Sequence, residues 1–113
     1  MGETAWQAAG QPAAATPLLT PRQVDPAAVI DVRQAGEYAA GHLPGSRNIE
    51  LGTLASQAAG VQDRPVVIMC GHGERAATAA SVLERAGHTA VAILPGGPGD
   101  WADATGLLLE RGA

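Results

Sequence analysis

Val66-Val67-Ile68-Met69-Cys70-Gly71-His72-Gly73-Glu74-Arg75 is the stretch on which the fold turns. A run of β-branched and apolar residues ends on the chain's single cysteine, crosses a glycine-bearing loop and enters an alanine-rich segment with helical spacing. The periodicity therefore changes from strand to helix at Cys70. A helix start offers free N–H groups and the positive end of the helix dipole, so an anion is stabilised in the turn before it. Arg75 adds a permanent positive charge. Gly71 and Gly73 allow the close backbone approach and unusual φ/ψ values that a ring of inward-facing N–H groups needs. Together these features should favour the thiolate of Cys70 and make it a nucleophile. The plain alternative is a small buried hydrophobe, since a lone cysteine after an apolar strand commonly does no chemistry. Gly71, Gly73 and Arg75 argue against that alternative, because none of them helps to bury a thiol. The reactive reading requires amides turned toward the sulfur, and a sulfur not sealed in the interior.

Working outward, strand and helix patterns alternate. Ala28 to Val32 reads as a buried strand, Ala35 to Ala40 as a short helix, and Leu51 to Ala59 as a second helix closed by Gly60. Pro65 to Met69 is the central strand. Ala76 to Ala86 is a helix with Ala79, Val82, Leu83 and Ala86 on one face, and Gly87 stands where a helix end favours a left-handed residue. Thr89 to Leu94 is a further strand, Gly96-Gly97 a turn, and Asp100 to Ala104 a short helix carrying Trp101. This order predicts an α/β fold with a mainly parallel central sheet and helices on both faces, its ligand site at the carboxyl ends of the strands. Residues 1–16 lack a sustained period and read as a flexible N-terminal leader, leaving one domain over residues 17–113.

Composition narrows the function. The chain has 113 residues, 46% of them hydrophobic and 16% charged, which suits one globular domain. There is no phenylalanine, so the core must be assembled from small aliphatic side chains around Trp6, Trp101 and Tyr38. A formal charge of −4, with seven scattered arginines as the only cations, argues against nucleic acid. A small anion remains compatible if local donors outweigh the overall field. One cysteine cannot form an internal disulfide, and no secretory signal or long apolar run is present, so a cytoplasmic, non-membrane protein is expected. His42, His72 and His88 are far apart and no Cys-x-x-Cys or His-Glu-x-x-His spacing occurs, so no metal site is expected.

Three separated segments resemble the rhodanese (sulfurtransferase) family. They are Asp31-Val32-Arg33 running to Glu37-Tyr38-Ala39-Ala40-Gly41-His42-Leu43-Pro44-Gly45-Ser46-Arg47-Asn48, then the cysteine loop, then Gly96-Gly97-Pro98-Gly99-Asp100-Trp101. The resemblance implies a rhodanese-like domain in which Cys70 takes sulfane sulfur from a donor such as thiosulfate and holds it as a persulfide. It then passes the sulfur to a thiophilic acceptor such as cyanide or a thiol, without a cofactor. The substrate-binding residues would be Gly71, His72, Gly73, Glu74 and Arg75, whose loop amides would face the persulfide, together with Arg33 at the donor's anionic end. The implied partners are a small anionic sulfur donor and a protein sulfur acceptor, acting on a monomer.

Alternatives stay open at several of these residues. Arg33 could instead pair with Glu37, four residues on. Asp31 reads as a hydrogen-bond acceptor fixing nearby turns, His42 and Pro44 as turn-shaping residues, Trp101 as a core anchor, and His72 as either solvated or lining the entrance. Relatives acting on phosphate or arsenate carry five residues between cysteine and arginine, whereas this chain has four (Gly71 to Glu74). The smaller ring favours sulfur over a tetrahedral oxyanion. Two departures from the family pattern stand out: Pro98-Gly99 replaces an apolar residue before the last helix, and a short Leu19–Val29 segment should reduce an early helix to one turn. Besides an enzyme, the sequence admits a persulfide carrier working with a protein partner, or a non-catalytic binding or regulatory module of the same fold.

Overall fold

The computed structural model describes residues 16–60, 65–70 and 74–112. Four strands form one parallel sheet: β1 (Val29–Asp31), β2 (Arg47–Asn48), β3 (Val66–Met69) and β4 (Val91–Ile93), in the order β2-β1-β3-β4. The helices are α1 (Ala35–Ala40), α2 (Leu51–Gln57), α3 (Glu74–Arg85) and α4 (Pro98–Thr105). From β1 the chain moves outward to β2, then crosses back past β1 to β3 and on to β4. The direction of winding therefore reverses between β1 and β3. In open α/β sheets that reversal opens a crevice at the strands' carboxyl ends. Arg33 follows β1 there, and Cys70 follows β3.

Side chains alternate across β3, as a strand's period of two requires. Val66, Ile68 and Cys70 join Ile30, Val32, Leu54, Ala76, Ala79, Ala80 and Leu83 in a core under α2 and α3. Val67 and Met69 join Val29, Leu43, Leu94 and Trp101 in a second core on the opposite face, under α4. The expected parallel sheet with helices on both faces is what the chain forms. Cys70 thus belongs to the face that carries α3, which directs its side chain toward the start of that helix.

Several element details differ from the sequence reading. The β2 pairing of Arg47 with Ile30 and Asn48 with Asp31 has no apolar run behind it and was not expected. The inward stripe of α3 is Ala76, Ala79, Ala80 and Leu83, one turn earlier than the 79–86 pattern, and Ala86 is exposed. The helix stops at Arg85 because Gly87 (φ +101°) turns the chain: the Gly87 and His88 amides donate to the Glu84 and Leu83 carbonyls. That is the crossed end bonding of a glycine-terminated helix. The short Leu19–Val29 segment forms two single 3₁₀ turns, Pro21–Gln23 and Pro26–Ala28. Thr16, placed in the leader by sequence, donates its hydroxyl to Glu84 at 3.0 Å, and residues 1–15 lie outside the described residues.

The Pro98-Gly99 departure is accommodated without loss of packing. Pro98 occupies the first helical position of α4, where its missing N–H costs nothing, and is itself buried. The helix starts two residues earlier than expected for that reason. Ahead of it, Gly96 has φ +88°, and a Cβ there would lie 2.8 Å from the Asp100 carboxylate that accepts the Gly97 amide. Gly96→Ala therefore combines a left-handed backbone with a clash against a helix cap. It should lower stability by about 1–3 kcal/mol in chemical denaturation, and a change under 0.5 kcal/mol, roughly the scatter of neutral surface substitutions, would contradict this account.

Candidate active site

The site starts from Cys70, one residue past β3, and the first turn of α3. The backbone N–H of Ala76, the third residue of α3, donates to Cys70 Sγ at 3.2 Å. This amide is one of the orphan donors that every helix start leaves free, and here the sulfur accepts it. The described donor lies one residue beyond the Gly71–Arg75 segment from which sequence expected it. Gly71, His72 and Gly73, together with the side chain of Glu74, fall outside the described residues.

Cys70 is only 1% exposed, so its sulfur is not an open surface thiol. One amide, that of Ala76, faces the sulfur, while those of Gly71, His72 and Gly73 lie outside the described residues. The other requirement of the reactive reading, a sulfur not sealed in the interior, is not met among the described residues, because Cys70 is buried within the core under α2 and α3.

Arg75 stands at the second position of α3. Its guanidinium meets Glu37 of α1 in a forked ion pair, Nη1 to Oε1 at 3.0 Å and Nη2 to Oε2 at 3.4 Å, and Nη2 lies 3.5 Å from the carbonyl oxygen of Cys70. The hydrogen bond from Arg75, followed by the Gln34 backbone N–H, holds the Glu37 carboxyl below its ordinary 4.5, and Glu37 in turn raises Arg75. The Gln34 bond also caps α1, so one carboxylate both starts that helix and ties it to α3.

Arg33 is committed elsewhere. Its Nε and Nη2 bind both oxygens of Asp31 at 2.7–3.1 Å, and Nη2 also donates to the carbonyl of Gly41 at 2.8 Å. Its ion-pair partner is therefore Asp31 and not Glu37. A forked guanidinium matches a carboxylate two residues away once the strand has ended and the backbone turns. Asp31 is fully buried and accepts the Arg33 backbone N–H as well, which fits its expected role in fixing the turn. Asn48 completes that turn by donating from Nδ2 to the carbonyls of Asp31 and Arg33 at 2.9 and 3.0 Å.

His42 shapes the neighbouring turn. Its ring stacks on Tyr38 with centroids 3.7 Å apart, Nδ1 lies 2.8 Å from the Tyr38 carbonyl, and its backbone pairs with Glu110 in both directions. Trp101 is 1% exposed in the second core, as a core anchor should be. Sequence reasoning missed Glu37 as the partner of Arg75, because 38 residues separate them. It also missed the Ala76 amide, which counting helix positions from Gly73 could have found. Among the described residues there is no group of three or more His, Cys, Asp or Glu side chains able to hold a metal, and no helix is long and apolar enough to cross a membrane.

Comparison with known proteins agrees with this fold. Thiosulfate sulfurtransferase GlpE of Pseudoalteromonas translucida (strain TAC 125) is 33% identical over 84 residues, covering 74% of this chain and 80% of the relative. The uncharacterized protein YqhL of Bacillus subtilis (strain 168) is 37% identical over 76 residues, covering 66% of this chain. The match spans 60% of that relative's length, less than two thirds of it. A crystal structure of a rhodanese-like domain protein from Staphylococcus aureus shares the fold with a TM-score of 0.71 at 24% identity, covering 87% of this chain and 100% of that one. The rhodanese-like domain family matches residues 15–104. Because that match runs through all four strands and the cysteine turn between β3 and α3, the chain belongs to the rhodanese-like domain family.

Proposed function

We propose that the protein is a sulfurtransferase that carries sulfane sulfur on Cys70. The observation that carries this reading is the Ala76 N–H donated to Cys70 Sγ at the start of α3, a donor already aimed where negative charge on sulfur would develop. In the first half-reaction the Cys70 thiolate attacks the outer sulfur of thiosulfate. A new S–S bond forms, the bond to the sulfite sulfur breaks, and its electron pair leaves with sulfite. In the second, a nucleophile such as cyanide attacks the outer persulfide sulfur, giving thiocyanate and returning the electron pair to Cys70. Neither step requires an external oxidant or a cofactor.

A relative named thiosulfate sulfurtransferase, 33% identical over 84 residues, supports thiosulfate as the donor. A reducing compartment such as the cytoplasm suits a chain whose single thiol must stay reduced. The test is the intact mass of protein incubated with thiosulfate and freed of excess donor. It should rise by about 32 Da, one sulfur atom on the persulfide ladder, and return after cyanide. No adduct with thiosulfate or any other sulfane donor would defeat the proposal.

A further inference from the structure

Two carboxylate–arginine pairs flank the carboxyl ends of β1 and β3, and they differ in how firmly they are held. Asp31 and Arg33 form a buried, multiply bonded pair. Glu37 and Arg75 form an exposed pair, their side chains 43% and 31% accessible. Exposed ion pairs are weak and easily exchanged, whereas a buried forked pair is not. The Arg75 fork also touches the backbone of the nucleophilic residue, through the Cys70 carbonyl. Arg75 is thus a cation beside Cys70 whose counter-charge an incoming anion can replace.

We propose that Glu37 sets how strongly a small anionic donor is held beside Cys70, by competing with that anion for the guanidinium of Arg75. This deepens the sulfurtransferase reading and rests on it for the donor's identity. Glu37 is a specificity-determining residue here: its carboxylate lowers the net positive charge that an anion meets and so favours donors of lower charge. Its neutral isostere would leave one uncompensated positive charge next to the site. The Glu37 oxygen that caps α1 through the Gln34 amide is retained in glutamine, so the helix start survives the change.

Glu37→Gln should lower KM for thiosulfate about fivefold at low ionic strength, the effect of one unit charge near a partly solvated anion, with the larger change in KM and not in kcat. Near 1 M salt, where the Debye length is about 3 Å, the gap should close. Glu37→Asp, which keeps the charge, should stay near the parent. A merely structural role would instead raise KM or lower kcat in both variants without a salt dependence, and that outcome overturns the proposal. A second readout is independent of turnover: inorganic sulfate should protect Cys70 from iodoacetamide at lower concentration in Glu37→Gln than in the parent. If the parent forms no thiocyanate but this shift in protection appears, the enzymatic reading falls and the present one stands. Unchanged protection overturns it. Should Glu37→Gln fail to fold, Arg75→Gln decides the matter, because it should abolish most sulfate protection, and protection equal to the parent's refutes the proposal.

Discussion

Cys70→Ser is expected to bring thiocyanate formation from thiosulfate and cyanide down to the uncatalysed background, a loss of about a thousandfold or more. The exchange replaces sulfur by a smaller oxygen whose hydroxyl keeps its proton at neutral pH and cannot attack a sulfane sulfur. The fold should bear it at a modest cost of about 1 kcal/mol for a hydroxyl buried among apolar neighbours. Serine fits the same space, and its oxygen can accept the Ala76 amide that the sulfur accepts now. A thermal midpoint close to the parent's, with activity gone, would separate chemistry from folding. Steady-state rates of the two proteins measured side by side decide the point, and equal rates would remove the cysteine from the reaction altogether.

Asp31→Ala is expected to be the most damaging single change to stability around the site. Asp31 is wholly buried and accepts the backbone amide, Nε and Nη2 of Arg33 at once. Deleting the carboxylate strands a guanidinium whose side chain is 12% exposed and keeps only the Gly41 carbonyl from its present side-chain partners. Breaking one side of a buried pair costs about 3–5 kcal/mol, and partial exposure of Arg33 places this case near the lower figure. The thermal midpoint should fall by about 10 °C or more. In an Arg33→Ala background the same change should cost much less, because the stranded charge is then absent. A cost below about 1 kcal/mol, the level of an exposed pair, in the parent background would mean that the pair is not what fixes the turn after β1.

The strand-to-helix switch at Cys70 was legible because it depends on local signals: β-branched residues with period two, glycines, then alanines with helical spacing. The parallel sheet followed from alternation of such segments. β2 was not legible, since Arg47 and Asn48 carry no strand pattern of their own and extend the sheet only because β1 lies alongside. The inward face of α3 was placed one turn late, as an alanine-rich helix offers little contrast between its faces and tertiary packing chooses the register. The sequence leaves Arg33 either at a donor's anionic end or paired with the helically spaced Glu37, whereas a backbone turn brings it onto Asp31, two residues away. The bond from Arg75 to Glu37 crosses from α3 to α1, and no local rule anticipates a contact of that span.

The separation of the interior into two cores on either side of the sheet has an evolutionary consequence. The sulfur-bearing residue packs with Ile68 and the alanines of α3, while Trp101, Leu94, Leu43 and Met69 fill the other side. Substitutions among that second group repack the face of the sheet opposite the Cys70 side chain, trading robustness up or down. Descendants of one ancestral chain could thus diverge widely in heat tolerance while keeping the packing around Cys70.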